Sequence, residues 1–321
     1  MIKKVILAMS FATAVVNAQF ITQNFGSGAN SFSIDFVEIG NPGNVADTSG
    51  WPNPVGSVAY NYNIGKYEIS RDMIEKANYA GSLGITMADM TSYGGNGVNM
   101  PATGINWYEA AKFVNYLNIS AGSSIAYKFD ASGNFKLWSS GDVGYNTNNQ
   151  FRNSLARYVI ASDNEWYKAA YGSPSGIWYD FTTGSDSRPT AVVGGTSPNT
   201  AVYSGLLFGQ LSPYYPSEVD NAGGLSAYGT MAQGGNVWEL TETAYDGIND
   251  TTDENRIFRG GSWMYEGTGY LNAIAPSPVG DPANDRNFMV GFRVAMVPEP
   301  SALSLLAVGL GGLAMMRRRR S

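Results

Sequence analysis

Apolar and polar positions follow a helical period in only three short stretches of the chain. Ser70 is placed to cap a helix running to about Ala80, with Gly81 as its stop. Asn106 precedes a run to Leu117 in which Trp107, Ala110, Ala111, Val114 and Leu117 share one face, and Glu109 stands at the capping-box spacing. Ser162 and Glu165 repeat that spacing ahead of Trp166 to Tyr171, with Gly172 as the stop. Strand signals are weaker. Phe32, Ile34, Phe36 and Ile39 flank Asp35 and Glu38, and residues 58–68 give a second strand candidate. From Gly172 to Ala295 no long periodic segment exists, and Gly, Pro, Asn and Ser recur every few residues. Loops that long are functional or disordered as a rule. Trp178, Tyr179, Phe181, Tyr203, Phe208, Tyr214 and Tyr215 argue against disorder. The pattern predicts an α+β domain with few regular elements and a packed loop half, without internal repeats.

The two ends read differently from the body. Met1-Ile2-Lys3-Lys4, an apolar run to Val16 and then Asn17-Ala18 form the pattern of a secretory signal peptide, with cleavage expected after Ala18. At the other end Val297-Pro298-Glu299-Pro300-Ser301 leads into apolar residues 302–316, then Arg317, Arg318, Arg319 and Arg320. As a helix the apolar run spans about 22 Å, short of a bilayer core of about 30 Å. The arginines would face the cytoplasm. This tripartite end resembles the PEP-CTERM sorting signal of Gram-negative bacteria. The resemblance implies transient inner-membrane anchorage, processing by an exosortase and delivery to the cell surface or extracellular matrix. The expected organisation is a signal peptide at 1–18, an N-terminal lead-in at 19–32, a domain at 33–296 and a sorting signal with a short transmembrane helix at 297–321.

Composition narrows the chemistry. The 321 residues include no cysteine and no histidine. Disulfides, thiolate nucleophiles, thiolate zinc sites, iron–sulfur clusters, Ser-His-Asp triads and His-ligated zinc are all excluded. Charged residues make up 14% of the chain, against about 25% in an average domain, as suits an uncharged extracellular surface. The net charge of −6 hides an asymmetry, because six basic residues sit in the two ends. Without them 14 basic residues face 26 acidic ones, a net of −12. Such a body should not bind nucleic acid by phosphate neutralisation.

Three late stretches carry a second resemblance: Gly234-Gly235-Asn236-Val237-Trp238-Glu239-Leu240, Arg259-Gly260-Gly261-Ser262-Trp263 and Gly291-Phe292-Arg293-Val294-Ala295. Together with Tyr67-Glu68-Ile69-Ser70, the Asn106 helix start and the Ser162 helix start, they resemble the formylglycine-generating enzyme, or sulfatase-modifying factor, family. That resemblance implies a C-type-lectin-like α+β fold. It also implies copper(I) held by two cysteines, at positions that fall here on Tyr265 and Tyr270. A phenol does not replace the thiolate that soft copper(I) takes, so copper binding and formylglycine generation are not expected.

Calcium is the remaining candidate cofactor. The family's ligands correspond to Gly235 and Val237 carbonyls, the Glu239 carboxylate and position 232, where Ala232 removes an oxygen. A second set would start at Asn199, with Glu218 or Asp220 as later partners. The competing expectation is that Glu239 pairs with Arg259 or Arg293. Trp107, Trp166, Trp238 and Trp263 are expected in the core. The leading functional expectation is an exported, non-catalytic member of this family. It would bind a polysaccharide or surface-protein ligand beside Trp263, Tyr265 and Tyr270. The alternatives are a carboxylate-based enzyme acting on polysaccharide and a structural matrix protein.

Overall fold

All three helices begin where the capping residues put them. A computed structural model describes residues 20–210, 213–265, 269–275 and 283–298. In it α1 spans Arg71–Gly81, α2 Trp107–Ser120 and α3 Asp163–Tyr171. The Ser70 hydroxyl accepts the Met73 amide. Asn106 with Glu109, and Ser162 with Glu165, form complete capping boxes. The stops differ from the sequence expectation. Gly81 lies inside α1, and the left-handed cap is Ser82 at φ 51°. Gly172 does end α3, but in extended conformation at φ −82°. Glycine is needed there for space: a Cβ would lie 2.7 Å from the Lys168 carbonyl oxygen.

Besides two short 3-10 turns, Gly28–Asn30 and Leu206–Phe208, the described residues form twelve short strands. They are β1 Phe20–Phe25, β2 Phe32–Ile39, β3 Tyr62–Gly65, β4 Lys128–Phe129, β5 Phe135–Lys136, β6 Tyr158–Ile160, β7 Thr190–Ala191 and β8 Thr200–Ala201, then β9 Trp238–Ala244, β10 Arg256–Arg259, β11 Val290–Phe292 and β12 Val294–Met296. The main sheet is antiparallel throughout, in the order β1-β2-β3-β12-β6. Its β2 buries Phe32, Ile34, Phe36 and Ile39 and exposes Ser33 and Glu38, as the alternation predicts. The lead-in contributes β1, the edge strand against β2. A second sheet sets β9 between β10, antiparallel, and β11, parallel.

The core lies between these sheets and the helices. The α2 helix packs on β6, and the Asn118 carboxamide bonds both the amide and the carbonyl of Tyr158. The α3 helix packs on β9. Trp107 and Trp166 are fully buried, and Trp238 and Trp263 nearly so, as expected. A single residue separates β11 in the second sheet from β12 in the main one, and that residue is Arg293. Among the described residues no helix is long and apolar enough to cross a membrane. The signal peptide and the sorting tail from Glu299 onward, including the expected transmembrane helix, lie outside the described residues.

Candidate functional site

Two left-handed glycines aim the segment that carries the copper positions. Gly260 and Gly261 have φ of 96° and 74°. A Cβ on Gly260 would fall 2.5 Å from the Gln233 carbonyl oxygen, so the turn can press against the Gly234-Gly235-Asn236 loop only without one. Gly235 donates its amide to the Gly260 carbonyl, and Trp263 donates to that of Asn236. The segment then delivers Tyr265 and Tyr270 to one place. Their ring centroids are 5.3 Å apart at 80°, and each meets Trp238 edge to face at 5.5 and 5.1 Å. Both rings are half-buried against the main core. Trp263 does not join them. It belongs to a separate cluster with Val202, Met231, Ala232 and Val237, and its ring meets Tyr93. Of the expected ligand-binding trio, the fold unites the two tyrosines and sets the tryptophan in another packing unit.

The residues at this place do not fit copper. Copper(I) selects soft thiolate or thioether donors. The two positions present phenol rings packed on each other and on an indole, and the chain has no cysteine to recruit.

The expected calcium carboxylate is engaged elsewhere. Glu239 is fully buried, and both its oxygens accept from the Arg293 guanidinium. One of them also accepts Trp166 Nε1 at 2.7 Å. Arg293 spends its remaining donors on the carbonyls of Gly65, Lys66 and Met231. Glu68 lies beside the pair, accepting from the Asn236 side chain and the Val237 amide. Burial and the neighbouring Glu239 charge push the Glu68 carboxyl well above its usual range, and Arg293 only partly offsets them. Ala232 supplies no oxygen. In the second set, the Asn199 side-chain oxygen accepts from Thr183, and Asp220 accepts from Asn99. Calcium takes six to eight oxygens in an open cage. In the first set the carboxylate is already held by Arg293, and among the described residues no three acidic side chains cluster for a metal.

A further network joins residues far apart in the sequence. Arg152 donates Nε to Glu242 at 2.8 Å and both terminal nitrogens to Glu165 at 3.0 Å. Tyr60 donates to Glu165, while Tyr127 and Asn149 donate to Glu242. Both carboxylates are out of reach of solvent. Burial alone would raise the Glu165 carboxyl, but the Arg152 charge and these hydrogen bonds hold it at about 2. Such a group stays ionised and is no general acid near neutral pH. Arg259 binds Asp163 through two nitrogens. The two motif arginines are therefore structural, each buried on its own carboxylate.

Comparison with known proteins agrees with this geometry. The sulfatase-modifying factor enzyme 1-like domain matches residues 36–297, and the PEP-CTERM protein-sorting motif matches residues 297–320. Among solved structures, Treponema denticola variable protein 1 superposes with a TM-score of 0.55 at 19% identity, covering 87% of this chain and 99% of that one. CarF superposes with a TM-score of 0.58 at 16% identity, covering 83% and 98%. PvdO from Pseudomonas aeruginosa gives 0.50 at 16%, covering 86% and 98%. These likenesses show the fold, the C-type-lectin-like α+β architecture expected from the motifs. Among curated proteins no match is found.

Proposed function

The chain belongs to the sulfatase-modifying factor enzyme 1-like family and carries a PEP-CTERM sorting motif, and from that premise we propose that it is an exported, non-catalytic binding protein of the cell surface or extracellular matrix. Tyr265 and Tyr270 carry the reading. The family scaffold is retained around a place where two phenols fill one another's space. Neither supplies a thiolate. The sorting motif supports export, with Pro298, Glu299, Pro300 and the four arginines as the signal an exosortase-type enzyme would process.

The ligand this reading favours is a glycan or a surface protein. Aromatic side chains give large, rigid contact area at low entropic cost, and the loop half is rich in them. The carboxylate-enzyme alternative loses its best-placed pair, because Glu165 and Glu242 are both buried on Arg152. Two assays on the exported protein test the proposal. Incubation with copper(I), oxygen and a sulfatase-type cysteine peptide is expected to yield no formylglycine by mass spectrometry. A glycan array is expected to show retention without release of reducing ends. Formylglycine formation, or turnover of a bound glycan, would overturn it.

A further inference from the structure

The end of α3 opens on a cleft that the sequence did not announce. Its volume is about 280 Å³. The loop around Asn41 and Val45 forms one wall, and the turn from Gly172 to Trp178 forms the other. Ser173 braces that turn by accepting the Ile177 amide at 2.9 Å, and Gly176 bends it at φ 80°. Lys168, from the last turn of α3, forms the floor.

Lys168 is an unusual residue to find there. It is 1% exposed. Its ammonium makes one hydrogen bond, to the Asn41 carbonyl at 2.8 Å, and lies over the Tyr62 ring at 6.0 Å. An ammonium carries three donors. No carboxylate pairs with it among the described residues, and the cleft lining contains neither Asp nor Glu. Burial, with no opposing charge nearby, draws its pKa down to about 8. A buried charge without a counter-charge is costly, and such groups cluster at ligand sites. The rest of the lining suits a ring with hydroxyls. Trp178 stands half-buried, held against Tyr167 at 5.6 Å. The Asn41 side-chain amide, exposed at the rim, makes no hydrogen bond to the protein among the described residues.

We propose that this cleft binds the carboxylate-bearing ring of an acidic sugar, a uronate unit of a polysaccharide. The carboxylate meets the spare Lys168 donors, the ring stacks on Trp178, and a hydroxyl meets the Asn41 amide. A carboxylate fits better than a phosphate. One lysine balances one negative charge, and the cleft lies at the C-terminal, electronegative end of α3. The volume is at the small end for ligand sites and suits one or two sugar units. The inference rests on the glycan-binding reading above and names its site and substrate class.

The test titrates the mature protein with a galacturonate trisaccharide and with the neutral galactose trisaccharide. The galacturonate compound is expected to bind more tightly. Lys168→Met should weaken it by about tenfold or more, the worth of a charge-assisted hydrogen bond, and leave the neutral sugar unaffected. Thermal melts should show Lys168→Met at least as stable as wild type, since an unpaired buried charge is removed. Should that variant misfold, Val45→Asp decides instead. Val45 is 83% exposed at the rim, so the new charge should repel the uronate and spare both the fold and the neutral sugar. Equal binding of the two sugars by wild type overturns the inference while leaving glycan binding intact. Binding of neither also overturns the inference and leaves the wider reading to the glycan array, and full uronate affinity in the two variants overturns the assignment of the cleft.

Discussion

Arg293→Met is expected to cost the fold about 3–5 kcal/mol, the loss seen when one partner of a buried ion pair is removed. That is a fifth or more of the net stability of a typical domain, about 5–15 kcal/mol. The reason lies in the position of Arg293 at the crossing from β11 to β12, where the chain passes between sheets. Its guanidinium ties Glu239 of β9 to the carbonyls at the end of β3 and to the Met231 loop. Without it, Glu239 and Glu68 are two buried carboxyls with no counter-charge. Arg293→Lys should also destabilise, because an ammonium lacks the planar fork that holds both Glu239 oxygens. Urea midpoints of the two variants check this, and a loss under about 1 kcal/mol for Arg293→Met would refute it. The same contact bears on calcium. Since Arg293 holds Glu239, millimolar calcium should leave the wild-type melting temperature unchanged. A calcium-dependent rise would mean that the carboxylate leaves its arginine for the ion.

Signals local in the sequence were legible, and signals spread across it were not. The capping boxes at Asn106 and Ser162 and the alternation in β2 need only neighbours a few residues away. The two tyrosines were legible only through the family resemblance, whose cysteine positions stand at fixed offsets after the Gly260-Gly261 turn. By contrast, β9 hides because it is buried on nearly every residue, which erases the alternation that marks a half-exposed strand. The edge strand β1 hides for the opposite reason, being mostly exposed over Phe20–Phe25. Partner choice was open as well. Sequence allowed Glu239 either Arg259 or Arg293; the fold gives it Arg293 and gives Arg259 to Asp163. Nothing local in the sequence marks Arg152 or Lys168. The contacts that define them lie 90 residues away at Glu242 and 127 residues away at Asn41.

Arg152→Met is expected to destabilise by a similar amount at neutral pH, about 3–5 kcal/mol, and by less in acid. In the wild type Glu165 titrates at about 2 when folded, against about 4.3 in an unfolded chain. Between those values the unfolded state binds the extra proton, so stability rises with pH across the window. The Glu165 contribution is complete above about pH 5 and is lost as pH falls toward 2. Removing Arg152 reverses the sign. Buried without its arginine, the Glu165 carboxyl then prefers the protonated form, and acid relieves the variant while it weakens the wild type. The gap between the two proteins should therefore narrow steadily from pH 7 to pH 3 in urea titrations. Tyr60→Phe removes one hydrogen bond to Glu165 and keeps the arginine, so it should lose only about 1–2 kcal/mol and retain the acid slope. A gap that stays constant with pH would mean that Arg152 acts through packing and not through charge. It would also reopen a catalytic role for the Glu165–Glu242 pair, since a carboxyl not held ionised by its arginine could serve as an acid.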